Sequence, residues 1–170
     1  MKRLPDRVGP RPRILFVGIN PSLRSAEVGH HFASPGNPFW RLLHAARLTP
    51  SAFTYQDDAR LPSFGLGLTN IVPRPTRAAA ELTRAEYAAG RARLARLIGR
   101  VKPRTVAFVG VTVYRAFFGP SGSPGPGAKP ERIGRARVFV LPNPSGLNAS
   151  YPGFRDKLIW FERLRRYVEP

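Results

Sequence analysis

Cysteine is absent from all 170 residues, which excludes disulfides, thiolate zinc sites and cysteine-ligated iron–sulfur clusters. A reducing, cytoplasmic home fits that absence without being required by it. No apolar run approaches the ~20 residues of a membrane span, and nothing resembles a secretory h-region. Acids are scarce: 10 Asp and Glu stand against 28 Lys and Arg, for a formal net charge of +18. Lysine is scarce too. Lys2, Lys102, Lys129 and Lys157 all lie outside the motifs described below, so a Schiff-base lyase step is not expected. No Gly-x-Gly-x-x-Gly follows the first apolar run, so a Rossmann-type nucleotide domain lacks its signature. There is no internal repeat.

What remains is an ordinary globular composition, 42% hydrophobic, in a chain long enough to bury a core. The excess of arginine is the electrostatic footprint of a protein that meets nucleic acid. A plainer account, arginine supplied by GC-biased coding and solvating helix faces, covers part of that excess but not a balance so poor in acids.

Residues 1–12 read as a basic, flexible lead-in, and residues 13–170 as a single domain. Short apolar runs at 13–19, 66–72, 104–109 and 135–141 read as buried strands. Helices are expected at 38–48, at 83–101 behind the capping box Thr83-Arg84-Ala85-Glu86, over a short stretch ending at Phe117, and at 153–167. One helical turn is expected near Tyr55. Residues 119–130, rich in Gly and Pro, read as an excursion that no regular element can use. Strands alternating with helices predict an α/β fold, a three-layer sandwich around a mostly parallel central sheet.

Residues 13–40 organise the chain. The run Arg13-Ile14-Leu15-Phe16-Val17-Gly18-Ile19 ends at Asn20-Pro21, which holds Asn20 at the carboxyl end of a central strand, where open α/β sheets place their ligands. A polar loop follows, containing His30, His31 and Phe32, and Asn37-Pro38 is expected to cap the next helix. The stretch GINPSLRSAEVGHHFASPGNPFW resembles the first motif of the mismatch-specific uracil/thymine DNA glycosylases, a branch of the uracil-DNA glycosylase superfamily. Asn143-Pro144-Ser145-Gly146-Leu147-Asn148 resembles their second motif, and the stretch from Gly67 to Thr76 matches a third. The three fall in the family's order, and the resemblance covers nearly the whole chain. Other branches carry a four-cysteine cluster, which this chain cannot.

The resemblance implies a uracil-DNA glycosylase-like fold and a monofunctional glycosylase that hydrolyses the N-glycosidic bond of uracil, with no cofactor and no metal. Thymine would be a weak substrate. The implied partner is double-stranded DNA carrying uracil mismatches, with single-stranded DNA second and no membrane. The chain would act as a monomer in the cytoplasm, on the bacterial nucleoid. Asn20 matches the position that orients the attacking water; a turn-forming Asn before proline is the plainer account. Phe32 matches the aromatic that stacks on the flipped base, with the N–H groups of Ile19 and Phe32 facing its carbonyls; an ordinary core residue competes. Ser25 matches the residue beside C5 of the base, so removing its hydroxyl is expected to favour thymine, at little loss on uracil if the hydroxyl makes no essential bond. Asn70 and Asn143 would contact base or sugar, although a buried, satisfied Asn70 explains that position equally well.

Leu147 matches the wedge that fills the space left by the flipped nucleotide, Gly146 the close approach to the orphaned guanine, and Ser145 and Asn148 further DNA contacts. Asn148-Ala149 departs from the family's small residue followed by arginine, and Asn143 stands where other branches have histidine. His30 and His31, with Glu27 the nearest acid in sequence, read as loop or phosphate-contacting residues. A non-catalytic basic α/β module that holds damaged or single-stranded DNA is the alternative.

Overall fold

The computed structural model describes residues 3–120, 125–145 and 148–169. Five strands form one sheet: β1 (Ile14–Gly18), β2 (Leu66–Asn70), β3 (Thr105–Val109), β4 (Gly127–Ile133) and β5 (Ala136–Leu141). Their order is β2-β1-β3-β5-β4, parallel throughout except for β4, which runs antiparallel to β5. The helices are α1 (Leu23–Val28), α2 (Phe39–Ala45), α3 (Arg84–Val101), α4 (Val111–Phe118) and α5 (Phe154–Val168), joined by a 3-10 helix over Tyr55–Phe64.

Side chains alternate across a strand, so β1 feeds two cores. Ile14 and Phe16 point to the face covered by α2 and α5, where Phe39, Leu42, Phe161 and Leu164 meet them. Leu15 and Val17 point to the face covered by α3 and α4, against Leu94, Leu97, Ile98 and Tyr114. Every residue of β1, β2 and β3 is buried, as strands covered on both faces must be. This is the expected three-layer sandwich. The capping box of α3 is present, with Glu86 N–H donating to Thr83 Oγ1 and the Thr83 N–H to Glu86.

Three expectations differ from the structure. The lead-in is packed from Leu4 onward: Arg7 and Leu68 exchange backbone hydrogen bonds of 2.9 and 2.8 Å, which closes the open edge of β2. The stretch expected to hold no regular element contributes β4. Pro130 is tolerated there because β4 is an edge strand, and its register shifts between Lys129 and Arg132. The polar loop after Pro21 contains α1, too short to show periodicity but capped at both ends. Ser22 accepts from the Ser25 N–H at 3.0 Å, and Gly29 supplies the left-handed C-cap at φ 77°. At α2 the Asn37 side chain accepts from the Phe39 N–H at 3.0 Å, and Pro38 is the formal cap.

Candidate active site

The carboxyl ends of β1, β2, β3 and β5 converge on one small cavity of about 140 Å³, lined by Ile19, Asn20, Asn70, Val109 and Asn143 together with Ser25 and Phe32 from the loop. A cavity of roughly 150 Å³ takes one benzene-sized ring, so this one suits a single six-membered ring. No carboxylate lines it among the described residues.

The orientation of Asn20 follows from its partners. Its Nδ2 donates to the Arg74 carbonyl at 2.9 Å and lies 2.8 Å from Thr76 Oγ1. A carbonyl can only accept, and the Thr76 hydroxyl already donates to Ala78 O at 2.8 Å, so both contacts require the amide nitrogen. Oδ1 therefore carries the free acceptor, on a side chain that cannot turn over without losing both bonds. Arg74 is itself held by two hydrogen bonds to Glu86, at 2.7 and 3.0 Å, and one to Glu81 O. The bond from Arg74, with backbone help from Thr83, holds the Glu86 carboxyl down at about 2.

Phe32 sits in the left-handed region at φ 52°, a conformation that a bulky residue keeps only when its surroundings over-determine it. Its ring stacks on the fully buried Phe39 at 3.9 Å and 19°, which leaves the other face for the cavity. Six bonds pin its loop. Asp58, fully buried, accepts from the His31 N–H at 2.9 Å and pairs with the His30 ring at 2.8 Å. Arg7 adds an ion pair to Asp58 at 3.4 Å, without hydrogen-bond geometry at Nε, and donates from Nη2 to Gly29 O. The His31 ring meets Pro5 O at 2.8 Å, Trp40 Nε1 donates to His31 O, and the Ala33 N–H donates to Ser25 Oγ at 3.0 Å. Burial pushes His31 below its ordinary value of 6.5. Being neutral, the ring must carry its proton on Nε2 to satisfy Pro5 O. The histidines therefore do have an acid partner, but it arrives from the 3-10 helix rather than from nearby sequence.

Besides Asn20 Oδ1, the N–H groups of Ile19 and Phe32 and both polar atoms of the Asn70 side chain have no partner among the described residues. Asn70 is 8% exposed, so it is not the satisfied buried Asn of the plainer account. Gly18 makes room for it, since a Cβ there would stand 2.5 Å from Asn70 Oδ1. Asn143 Oδ1 accepts from the Ser145 N–H at 2.9 Å, which leaves its Nδ2 without a partner among the described residues.

Ser145 and Asn148 line an adjoining groove of about 400 Å³ that shares Ile19, Val109 and Asn143 with the cavity. Asn148 is engaged within its loop, donating to Asn143 O and accepting from the Ser150 and Tyr151 N–H groups. Gly146 and Leu147 lie outside the described residues. The structure thus gathers Asn20, Ile19, Ser25, Phe32, Asn70 and Asn143 at one point. It adds Thr76 and Asp58, which sequence reasoning passed over. Thr76 lay inside a matched stretch, but nothing local marks it as the partner of Asn20.

Known proteins resemble this chain over nearly its whole length. The sequence model described as the uracil DNA glycosylase superfamily matches residues 5–165. The chain is 33% identical over 181 aligned residues to a G/U mismatch-specific uracil DNA glycosylase of Schizosaccharomyces pombe, and the match covers 99% of the chain. It spans 56% of that relative's length. A solution NMR structure from Methanosarcina acetivorans, described as a candidate uracil DNA glycosylase, superposes with a TM-score of 0.60 at 20% identity. That match covers 96% of this chain and 98% of the other.

Proposed function

The chain belongs to the uracil DNA glycosylase superfamily, and from that premise we propose that it hydrolyses the N-glycosidic bond of uracil in DNA, best in G·U mismatches, as a step of base excision repair. The observation that carries the proposal is the locked amide of Asn20, with its free Oδ1 beside a cavity the size of one ring. A base inside a duplex cannot reach that cavity, so the nucleotide must be flipped into it.

In this mechanism the base stacks on Phe32, and its carbonyls accept from the N–H groups of Ile19 and Phe32 and from Asn143 Nδ2. Asn20 Oδ1 holds a water against C1′. As the C1′–N1 bond breaks, the sugar acquires oxocarbenium character and the pair of electrons leaves on the base, whose anion the same donors stabilise. Water adds to C1′, and its proton leaves to solvent. An amide is a weak base, so the rate rests on placement of the water and on the donors, each worth about 3 kcal/mol in comparable sites. One methyl is worth ~1–3 kcal/mol of discrimination, which makes thymine the poorer substrate. Ser145, Gly146 and Asn148 are assigned to the DNA backbone and Leu147 to the gap in the stack, on the resemblance of their motif. Duplex DNA is the proposed partner.

The test is a labelled duplex with one G·U mismatch, incubated and then treated with alkali. Strand breaks at the uracil are expected from the native protein. Asn20→Ala should lose them by orders of magnitude with DNA affinity retained. Native protein that binds without producing breaks would leave the non-catalytic module standing. An Asn20→Ala variant at native rate would remove Asn20 from the mechanism.

A further inference from the structure

A larger cleft than this site lies elsewhere among the described residues. It lies at the opposite end of the sheet, one strand length away, roughly 15 Å for five residues at about 3.3 Å each. Its volume is about 1050 Å³, and it opens between the end of α3, the turn before β3 and the β4–β5 hairpin. Six of its thirteen lining residues are cations, namely Arg11, Lys102, Arg104, Arg132, Arg135 and Arg137, and none is an acid. The chain as a whole has 28 cations in 170 residues, so this density exceeds what its composition supplies.

Two of the six are occupied: Arg137 stacks on Tyr167 and donates to its carbonyl, and Arg132 donates to Arg135 O. The side chains of Arg11, Lys102, Arg104 and Arg135 have no hydrogen bond or ion pair among the described residues. They are not capping α3 either, since backbone N–H groups of Lys102 and Arg11 already take the carbonyls of Ile98 and Val101, at 2.9 and 2.7 Å. Arg11 and Lys102 both hold left-handed backbone, at φ 49° and 54°, where glycine would be cheaper. Between the cations the lining is apolar, with Ala95, Ile98, Pro103 and Ile133.

We propose that this cleft is a docking site for an acidic peptide segment of a partner protein, one that sets carboxylates against Arg11, Lys102, Arg104 and Arg135 and apolar side chains on Ile98 and Ile133. Duplex DNA would set its phosphates against the cations and leave that apolar floor largely uncovered. Single strands bind through aromatic platforms, and none lines the cleft. DNA held at the strand ends faces away from it. The inference is independent of the proposed chemistry, because a glycosylase and a non-catalytic module would carry the cleft alike.

The test uses a short fluorescein-labelled peptide of alternating glutamate and leucine, read by anisotropy, with a lysine–leucine peptide, a uracil-free duplex and oligothymidylate as controls. The double variant Arg11→Gly, Lys102→Gly removes two cations and relieves two left-handed residues, so its melting temperature should hold or rise. Affinity for the glutamate–leucine peptide should fall roughly five- to tenfold in the variant, while release of uracil from duplex stays native. Equal peptide binding by variant and native protein would overturn the proposal, as would no peptide binding by the native protein. A variant that instead loses affinity for duplex or oligothymidylate would assign the cleft to nucleic acid.

Discussion

An amide side chain orients a water only while its oxygen faces the right way, and at Asn20 two acceptors more than fifty residues away decide which way that is. Thr76→Val keeps the shape of the side chain but removes the acceptor at 2.8 Å. The rate of uracil release should fall ~10- to 100-fold through misplacement of the water, with KM nearly unchanged, and Thr76→Ser should restore it. A drop in KM and rate together with stability would make Thr76 a packing residue only. Ser25 is a second case. Its hydroxyl accepts from the buried Ala33 N–H at 3.0 Å, so Ser25→Ala leaves that donor unmet, at about 1–3 kcal/mol. The hydroxyl does make a bond the loop needs, so the little loss on uracil no longer applies: thermal stability and the single-turnover rate on G·U should both fall. A variant with native melting temperature and native G·U rate would show that the bond to Ala33 does not hold the loop.

Among the elements, the loop from Gly29 to Ala33 shows how a strained residue is maintained. Phe32 at φ 52° survives because Asp58, Pro5, Trp40 and Ser25 each fix a neighbour. His31 also makes this segment sensitive to pH. Burial lowers its folded value below 6.5, the value of the unfolded chain. Below 6.5 the unfolded chain takes up a proton that the folded protein refuses. The stability from neutral His31 is thus complete above 6.5 and lost as pH falls from there through the lower folded value. Melting temperatures at pH 7.5 and 5.5 should differ more for the native protein than for His31→Gln, whose amide can still donate to Pro5 O. Equal differences would show that His31 is not a group that titrates on unfolding.

For the whole molecule the governing quantity is the charge of +18. Some arginines are paired within the chain at its surface: Arg74 with Glu86, Arg93 with Asp6, Arg165 with Glu169. The others leave a large uncompensated positive field. Arginine–phosphate contacts release condensed counterions, so affinity for duplex should fall at least about tenfold between low and physiological salt. Titrations at several salt concentrations measure the slope directly. A flat line would mean that the charge reflects composition rather than contact with DNA.

Much of this was present in local sequence. Four apolar runs ended by Pro, Gly or Asn became β1, β2, β3 and β5, because an unbroken run of β-branched residues is stable only when buried on both faces. Thr83 and Glu86 announced α3 through a contact three residues long. The candidate site was legible for a related reason: Asn20 and Asn143 follow a strand, Asn70 ends one, and parallel strands bring their carboxyl ends to one edge. The short capped helix α1 and the edge strand β4 were not legible, one having too few turns to show a period and the other containing Gly127 and Pro130. Tertiary structure alone decided which atom of Asn20 is free, that a buried Asp58 holds the histidines, and that four unpaired cations share a cleft. Each depends on partners far apart in the chain, brought together by register, as when Gly18 pairs with Asn70 and so carries residues 71–76 alongside Asn20. Local propensity acts over a few residues and has no access to that register.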